Sequence, residues 1–115
     1  MFANNPFFNQ DIACWDVSKV VRMDHMFDSS SFDQNIGVWD VGNVVNMHAM
    51  FRASKEFNQD IGGWDVSNVI QMQFMFHGAK SFNQNIGSWD VSSVVNMNSM
   101  FESAETFNEH IGDWD

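Results

Sequence analysis

Several residue types that mark common classes of protein are scarce in this chain of 115 residues. It has one cysteine, Cys14, and one proline, and it has no tyrosine. A single cysteine excludes an internal disulfide framework, and we interpret Cys14 as an incidental surface residue. Only five residues are basic, against 15 acidic ones, and the formal net charge is −10. We therefore expect no binding to nucleic acid, because phosphate backbones repel such a protein.

Long apolar runs are also missing. No run approaches the roughly 18 residues that a membrane span needs. The first residues, MFANNPFF, lack the basic region and apolar stretch of a signal peptide. The chain is nevertheless 44% hydrophobic and 15% aromatic, which is too apolar for disorder. The sequence predicts a folded protein without membrane insertion.

One unit is repeated along the whole chain. Its tryptophans are separated by 24, 25, 25 and 25 residues, and the unit reads F-N-Q-D/N-I-G-x-W-D-V-S-x-V-V-x-M-x-x-M-F-x-x-A-x-x. A period of this length is typical of stacked repeats. We predict one repeat array over 1–115, which divides into a partial coil 1–7, coils 8–31, 32–56, 57–81 and 82–106, and a partial coil 107–115. Because both ends fall within a repeat, we expect either a section of a longer array or a subunit whose open ends stack on neighbouring copies.

The apolar spacing within a unit suggests its local structure. Val69, Met72, Met75, Phe76 and Ala79 are spaced like the apolar stripe of a short helix. We expect serine N-caps ahead of it at Ser18, Ser67 and Ser92, with Gly42 in that place in the second unit. The β-branched pair at 69–70 favours a strand start instead, and both readings stay open.

The other half of the unit predicts a short strand. Phe57, Gln59 and Ile61 share one face of an extended FNQDI segment. A glycine follows in most units, and we expect it to allow a turn with positive φ at Gly37, Gly62, Gly87 and Gly112. The fold class predicted is an α/β repeat solenoid with right-handed, leucine-rich-repeat-like coils. It would have about four and a half coils of about 25 residues, each with a short parallel strand and a short helix or 3₁₀ segment.

Residues at the same place in successive repeats form columns, and two columns are predicted to be structural ladders. One contains Trp15, Trp39, Trp64, Trp89 and Trp114, and the other contains Asp16, Asp40, Asp65, Asp90 and Asp115. Stacked aspartates repel one another. We expect each to accept hydrogen bonds from backbone N–H groups just ahead of it, as in an Asx-turn. A row of calcium ions is the alternative, and the Asn and Gln columns are expected to bond coil to coil.

The repeated FNQDIGGWDVSNVIQMQFMF pattern resembles a known family along essentially the whole chain. It is similar to the bacterial surface-protein repeat related to the BspA-like leucine-rich repeats, which also occurs in mycoplasma lipoproteins. The resemblance implies a cell-surface or extracellular protein, often adhesive or of unknown role, without catalytic residues. One departure is that the family carries threonine in a V-T-N-M segment, where this chain has Val21, Val45, Ile70 and Val95.

No motif for catalysis is present. The chain has no phosphate-binding glycine loop, no nucleophile elbow and no HExxH. Its histidines fall in four different columns without zinc-type spacing: His25, His48, His77 and His110. We therefore predict no enzyme, no catalytic residue, no cofactor and no metal site.

Two functions remain as hypotheses. The first is a structural or adhesive surface protein that self-associates through its open ends, in some arrangements as a filament. The second is a module that binds a host or cell-surface protein or a glycan through exposed, variable columns. The candidate residues of that surface are Asp24, His48, Gln73, Asn98, His25 and Phe74.

Overall fold

The computed structural model describes residues 2–112 and Trp114, and all statements on structure refer to these residues. Met1, Asp113 and Asp115 lie outside them, and with Asp115 the last member of the aspartate column. Successive repeats lie against one another, so backbone hydrogen bonds join residues about one repeat apart, such as Met72 N–H to the carbonyl of Asn96 at 3.0 Å. The principal-axis extents are 36 × 32 × 20 Å.

The predicted α/β solenoid of strands and helices is wrong. Between residues 2 and 112 the structure has neither an α-helix nor a 3₁₀-helix. Its only strand-like pairings are three isolated parallel bridges, Arg22 with Asn46, Asn46 with Gln71, and Gln71 with Asn96. The repeats are therefore joined as stacked turns in a compact body.

Consecutive turns replace the predicted helix, as residues 72–79 illustrate. The N–H group of Met75 donates to the carbonyl of Met72 at 3.2 Å, three residues earlier. Alternate N–H groups instead donate to the following repeat, as Phe74 does to Asn98 at 3.0 Å. An α-helix needs every N–H to donate four residues back along its own chain. Here half of the donors serve the neighbouring repeat, and no helix forms.

Two positions in each repeat adopt the left-handed backbone conformation, where repeats 1 to 4 are residues 8–31, 32–56, 57–81 and 82–106. In repeat 2 they are Ala49, with φ 52°, and Ala53, with φ 53°; in repeat 3 they are Phe74, with φ 59°, and Gly78, with φ 68°. This conformation costs L-residues roughly 1–2 kcal/mol and cannot continue a right-handed helix. The apolar spacing that suggested a helix therefore comes from a series of turns.

The predicted strand is also replaced. In FNQDI of repeat 3, Phe57 and Ile61 are fully buried, but its links to repeat 2 use side chains rather than a backbone ladder. The N–H of Asn58 donates to Asp33 Oδ1 at 3.0 Å, and Gln59 Nε2 donates to the carbonyl of Asp33 at 3.1 Å. Side-chain amides and carboxylates thus take the place of strand pairing.

The glycine after FNQDI has a different purpose from the one predicted. The prediction of positive φ at Gly37, Gly62, Gly87 and Gly112 is wrong, since the only described glycine with positive φ is Gly78. The column instead allows close backbone approach between repeats: a Cβ at Gly87 would lie 2.6 Å from the carbonyl oxygen of His110. Cβ atoms at Gly37 and Gly62 would be closer still to the carbonyls of Asp60 and Asn85. Repeat 1 has Ala13 in this column.

Stacked phenylalanines form the centre of the core. Phe27, Phe51 and Phe76 are fully buried, and each ring lies 5.6 Å from the next, centroid to centroid. The phenylalanine that begins the next unit packs beside each of these rings, as Phe57 does against Phe51 at 4.0 Å. Aromatic rings in offset stacks at these distances add attraction beyond simple burial. The core therefore runs continuously from repeat to repeat.

Candidate interaction surface

Four tryptophans of the first column donate the same hydrogen bond, from the indole to an isoleucine carbonyl. Trp64 Nε1 donates to the carbonyl of Ile36 at 3.0 Å, and Trp89 Nε1 donates to that of Ile61 at 3.1 Å. Each indole thus reaches back to the preceding repeat. The same bond is made by Trp39 and Trp114. The rings of Trp64 and Trp89 are nearly parallel, with centroids 6.5 Å apart.

Trp15 is the member of this column without a complete repeat before it. Trp15 is 40% exposed, whereas Trp39, Trp64 and Trp89 are each 4% exposed. Beside it lies a cavity of about 350 Å³, and its apolar lining is Trp15, Val17, Val20, Met23 and Met26. Asp16, Arg22 and Asp24 complete the lining, and Arg22 and Asp24 form an ion pair at 2.8 Å. We call this the repeat 1 face.

The aspartates of the second column accept hydrogen bonds within local turns. Asp65 Oδ1 accepts the N–H of Ser67 at 3.0 Å and its hydroxyl at 2.6 Å. Asp16 and Asp90 accept the same two bonds from Ser18 and Ser92, and Asp40 accepts the N–H of Gly42. The serine hydroxyl bond, with help from the N–H, lowers the pKa of Asp16, Asp65 and Asp90. The serines predicted as helix N-caps therefore close Asx-turns instead.

The predicted lateral binding surface is partly assembled around aromatic rings. The rings of His25 and His48 meet edge to face at 4.8 Å, and His48 meets Phe74 in the same way at 5.9 Å. Both histidines and Phe74 are half-buried, as are Asp24 and Gln73, while Asn98 is exposed. The histidines lie in neighbouring columns of successive repeats, a relationship that a search for identical columns misses. We call His25, His48 and Phe74 the aromatic strip.

A buried carboxylate beside this strip was missed by the sequence reasoning. The side chain of Asp28 is 4% exposed and accepts two bonds from Arg52, at 3.1 and 2.7 Å, one from His25 Nδ1 at 2.8 Å and one from Ser29 at 3.0 Å. Burial raises the pKa of Asp28, but the bonds from Arg52, His25 and Ser29 outweigh burial and leave that pKa lowered. The column contains Asp28, Arg52, His77 and Glu102. Acidic and basic residues at the same position of successive repeats were the sequence signal that could have predicted this ion pair.

An apolar ridge crosses another face of the stack. Val21, Ile70 and Val95 are 52%, 40% and 82% exposed. Their backbones are joined through Val45, because the N–H groups of Val45, Ile70 and Val95 donate to the carbonyls of Val21, Val45 and Ile70, each at 2.8 Å. A groove of about 370 Å³ follows the ridge beside Arg22, Asn46 and Gln71. The ridge occupies the positions where the resembling family carries threonine.

Neither a metal centre nor a membrane span is found in the described part of the chain. Residues 2–112 and 114 contain no group of three or more His, Cys, Asp or Glu side chains placed to hold an ion. No helix in that part is long and apolar enough to cross a bilayer. Cys14 is exposed and unpaired.

A family model described as "Mycoplasma protein of unknown function, DUF285" matches residues 1–114. The chain belongs to the DUF285 family. This membership is compatible with the resemblance to surface-protein repeats drawn from the sequence. No curated protein and no solved structure matches the chain. In this DUF285 protein, the repeat 1 face and the aromatic strip are the candidate interaction surfaces.

Proposed function

We propose that this protein is a non-enzymatic structural or adhesive protein of the cell surface or extracellular space, which self-associates by stacking repeats of different molecules. The observation that carries the proposal is that successive junctions between repeats are built from the same contacts, stacked phenylalanine rings and an indole-to-carbonyl bond, which a repeat of another molecule can also make. The family resemblance supports the surface location.

The stacking contacts explain how such association would be stabilised. Within the chain, each interface combines parallel phenylalanine rings, an indole-to-carbonyl bond and backbone bonds. A second molecule whose Ile111 carbonyl lay near Trp15 would reproduce the bond that Trp39 makes to Ile12. Because this contact joins different faces of the two molecules, it extends into a filament unless the rotation closes a ring.

Sedimentation velocity over a wide concentration range tests the proposal. We expect the wild-type protein to associate as its concentration rises, and Trp15→Glu to remain monomeric because the charge is unfavourable in an apolar interface. Val38→Glu is the control, since Val38 is 70% exposed and lies outside the cavity lining. A wild-type protein that stays a monodisperse monomer throughout would overturn self-association. Protease treatment of intact source cells tests the surface location, because an internal protein would be protected.

A second candidate function is ligand binding at the aromatic strip. The edge-to-face contacts of His25, His48 and Phe74 leave half-exposed rings beside Asp24 and Asn98. Rings flanked by hydrogen-bonding side chains suit a protein or a glycan ligand. A protein and glycan array would test this, with one saturable partner expected, lost in Phe74→Ala and kept in Phe7→Ala, whose ring is 90% exposed elsewhere. No saturable partner, or equal binding by both variants, would contradict it.

A further inference from the structure

We propose that the apolar ridge is a lateral contact through which two copies of the protein pair side by side, with the ridge of each copy seated in the groove of the other. The ridge consists of Val21, Val45, Ile70 and Val95, and the groove follows it. This contact goes beyond the end-to-end stacking proposed above and does not depend on it. It is supported by the exposure of the ridge in inner repeats, by its regular shape, and by the absence of acidic residues from the segments that carry it.

The ridge is exposed even where repeats lie on both sides of it. Ile70 belongs to repeat 3, between repeats 2 and 4, and it is still 40% exposed, whereas Val69 and Met72 beside it are fully buried. Val45, its equivalent in repeat 2, is half-buried. Neither Ile70 nor Val45 belongs to the hydrophobic core. The column is thus apolar in all four repeats without serving the core, and a contiguous apolar surface of this kind is typical of an interaction site.

The ridge is a regular ladder. The N–H groups of Val45, Ile70 and Val95 each donate at 2.8 Å to the preceding member of the column. The residues that follow pair as parallel bridges, such as Asn46 with Gln71. Parallel ladders have a spacing of roughly 4.8 Å, so the ridge side chains stand at a fixed interval. Because β-branched side chains have few rotamers, little conformational freedom is lost when the ridge is covered.

Ridge and groove are complementary to each other. The groove has a volume of about 370 Å³ and is lined by three ridge residues and by the residues that follow them, Arg22, Asn46 and Gln71. A twofold axis along the stack places the ridge of each copy over the groove of the other, which makes an isologous contact. Both copies have the same spacing, so every rung matches, as in paired sheets of stacked strands. A partner without this repeat would match only one or two rungs.

The charge around the ridge also favours a second copy. The chain has a formal net charge of −10, so most faces of two copies repel each other. The four segments that carry the ridge contain no acidic residue, and they are 17–23, 41–47, 66–72 and 91–97. Their only charged residues are Lys19 and Arg22, and Arg22 is paired with Asp24 at 2.8 Å. Two copies can therefore meet at the ridge with little repulsion.

A single pair of ridges gives a weak contact. Four rungs are few beside the roughly 20–30 residues a side of a stable interface, so we expect a Kd on the order of 1 mM. Sedimentation at micromolar concentration does not detect such a contact. In molecules joined end to end, each further rung adds to the same contact without a second loss of rotational freedom, so paired stacks would bind much more tightly than paired molecules.

Methyl NMR of Trp15→Glu tests the lateral contact, because that substitution is designed to prevent end stacking. We expect the methyl shifts of Val45 and Ile70 to change as the concentration rises from about 0.05 to about 2 mM. The control methyls are those of Val38, which is 70% exposed in another column, and of Ile61, which is fully buried. No change at the ridge, or an equal change at Val38, would overturn the contact.

Ile70→Glu in the same background tests the ridge itself. We expect it to weaken the self-association reported by Val45 at least about tenfold, because the carboxylate would enter an apolar groove, whereas Val38→Glu should leave it unchanged. Thermal unfolding shows whether both variants fold. Ile70→Thr, which keeps the β-branched shape, takes the place of an unfolded Ile70→Glu and should weaken the association in the same direction. Equal self-association by the folded ridge variant and Val38→Glu would contradict the proposal.

Sedimentation at micromolar concentration and NMR at millimolar concentration separate this inference from the proposed function. End stacking without shifts at the ridge overturns the lateral contact alone. Shifts at the ridge in a protein that never stacks support the lateral contact and overturn end-to-end association. Shifts that appear only when phosphatidylcholine vesicles are added would assign the ridge to a lipid surface and overturn pairing.

Discussion

Trp64 Nε1 donates a 3.0 Å hydrogen bond to the carbonyl oxygen of Ile36, one repeat earlier along the chain. The indole is buried, so this bond removes two polar groups from water and satisfies both. Its repetition along the tryptophan column links each repeat to the one before it.

Trp64→Phe should therefore destabilise the protein. The smaller ring leaves a void and removes one of the two donors to the carbonyl of Ile36, which keeps the N–H of Trp39 at 3.1 Å. We expect a cost of about 2–4 kcal/mol in the free energy of unfolding, most of it from the void. The control is Trp15→Phe in dilute monomer, where the exposed ring has no carbonyl partner among the described residues, and we expect a change below about 1 kcal/mol. Urea denaturation measures both, and equal losses would contradict the role of the bond.

Gly62→Ala should be costly, whereas Gly63→Ala should not. A Cβ at Gly62 would collide with the carbonyl oxygen of Asn85, while one at Gly63 would have no atom within 4 Å. We expect a loss of about 1–3 kcal/mol for the first substitution and a change within about 0.5 kcal/mol for the second. Thermal or urea unfolding measures the difference, and two variants of similar stability would argue against the close approach of repeats 3 and 4.

The buried carboxylate predicts a dependence of stability on pH. Because the pKa of Asp28 is lowered in the folded protein, its contribution is complete above the unfolded value of about 3.8 and is lost as the pH falls through the lower folded pKa. Asp28→Asn should cost about 1–3 kcal/mol at neutral pH, and the difference from wild type should shrink in acid.

Asp24→Asn is the matched control for the buried carboxylate. Its partner Arg22 has a side chain 69% exposed, and such surface pairs contribute about 0–1 kcal/mol. Urea titrations from pH 7 down to below pH 3 measure both variants. If the loss in unfolding free energy of Asp28→Asn did not change with pH, its cause would be packing and not the charge of Asp28.

Ser67→Ala should raise the pKa of Asp65 towards its ordinary value, since the hydroxyl of Ser67 is the main cause of the lowering. Titration of the carboxyl carbons by NMR measures this directly. Asp16 serves as an internal control, because its own serine is unchanged. An unmoved Asp65 would show that the backbone N–H alone holds the turn.

The repeat period could be read from the sequence, but the local structure could not. A stripe such as Val69, Met72 and Met75 fits an α-helix, yet turns that bond three residues back give nearly the same spacing. A helix and these turns differ in where alternate N–H groups donate, to the same repeat or to the next one. That difference does not change which positions are apolar, so the sequence does not reveal it. The left-handed conformations fall on Ala49 and Phe74, residue types that do not signal it.

The candidate surfaces were foreseen to different degrees. Asp24, His48 and Phe74 were chosen because they vary between repeats, but the contact of His25 with His48 depends on how adjacent columns meet. Asp28 was overlooked because its partner Arg52 lies one repeat away in the same column, where only a comparison of charge would pair them.

The alternate N–H groups that leave each turn for the next repeat have a mechanical consequence. Tension applied along the stack loads the bonds of each junction along their own direction, so a junction yields by successive opening of its bonds and not by all of them shearing together. The weakest junction should part first, and the molecule should lengthen in discrete steps of one repeat, absorbing work while the remaining layers stay folded.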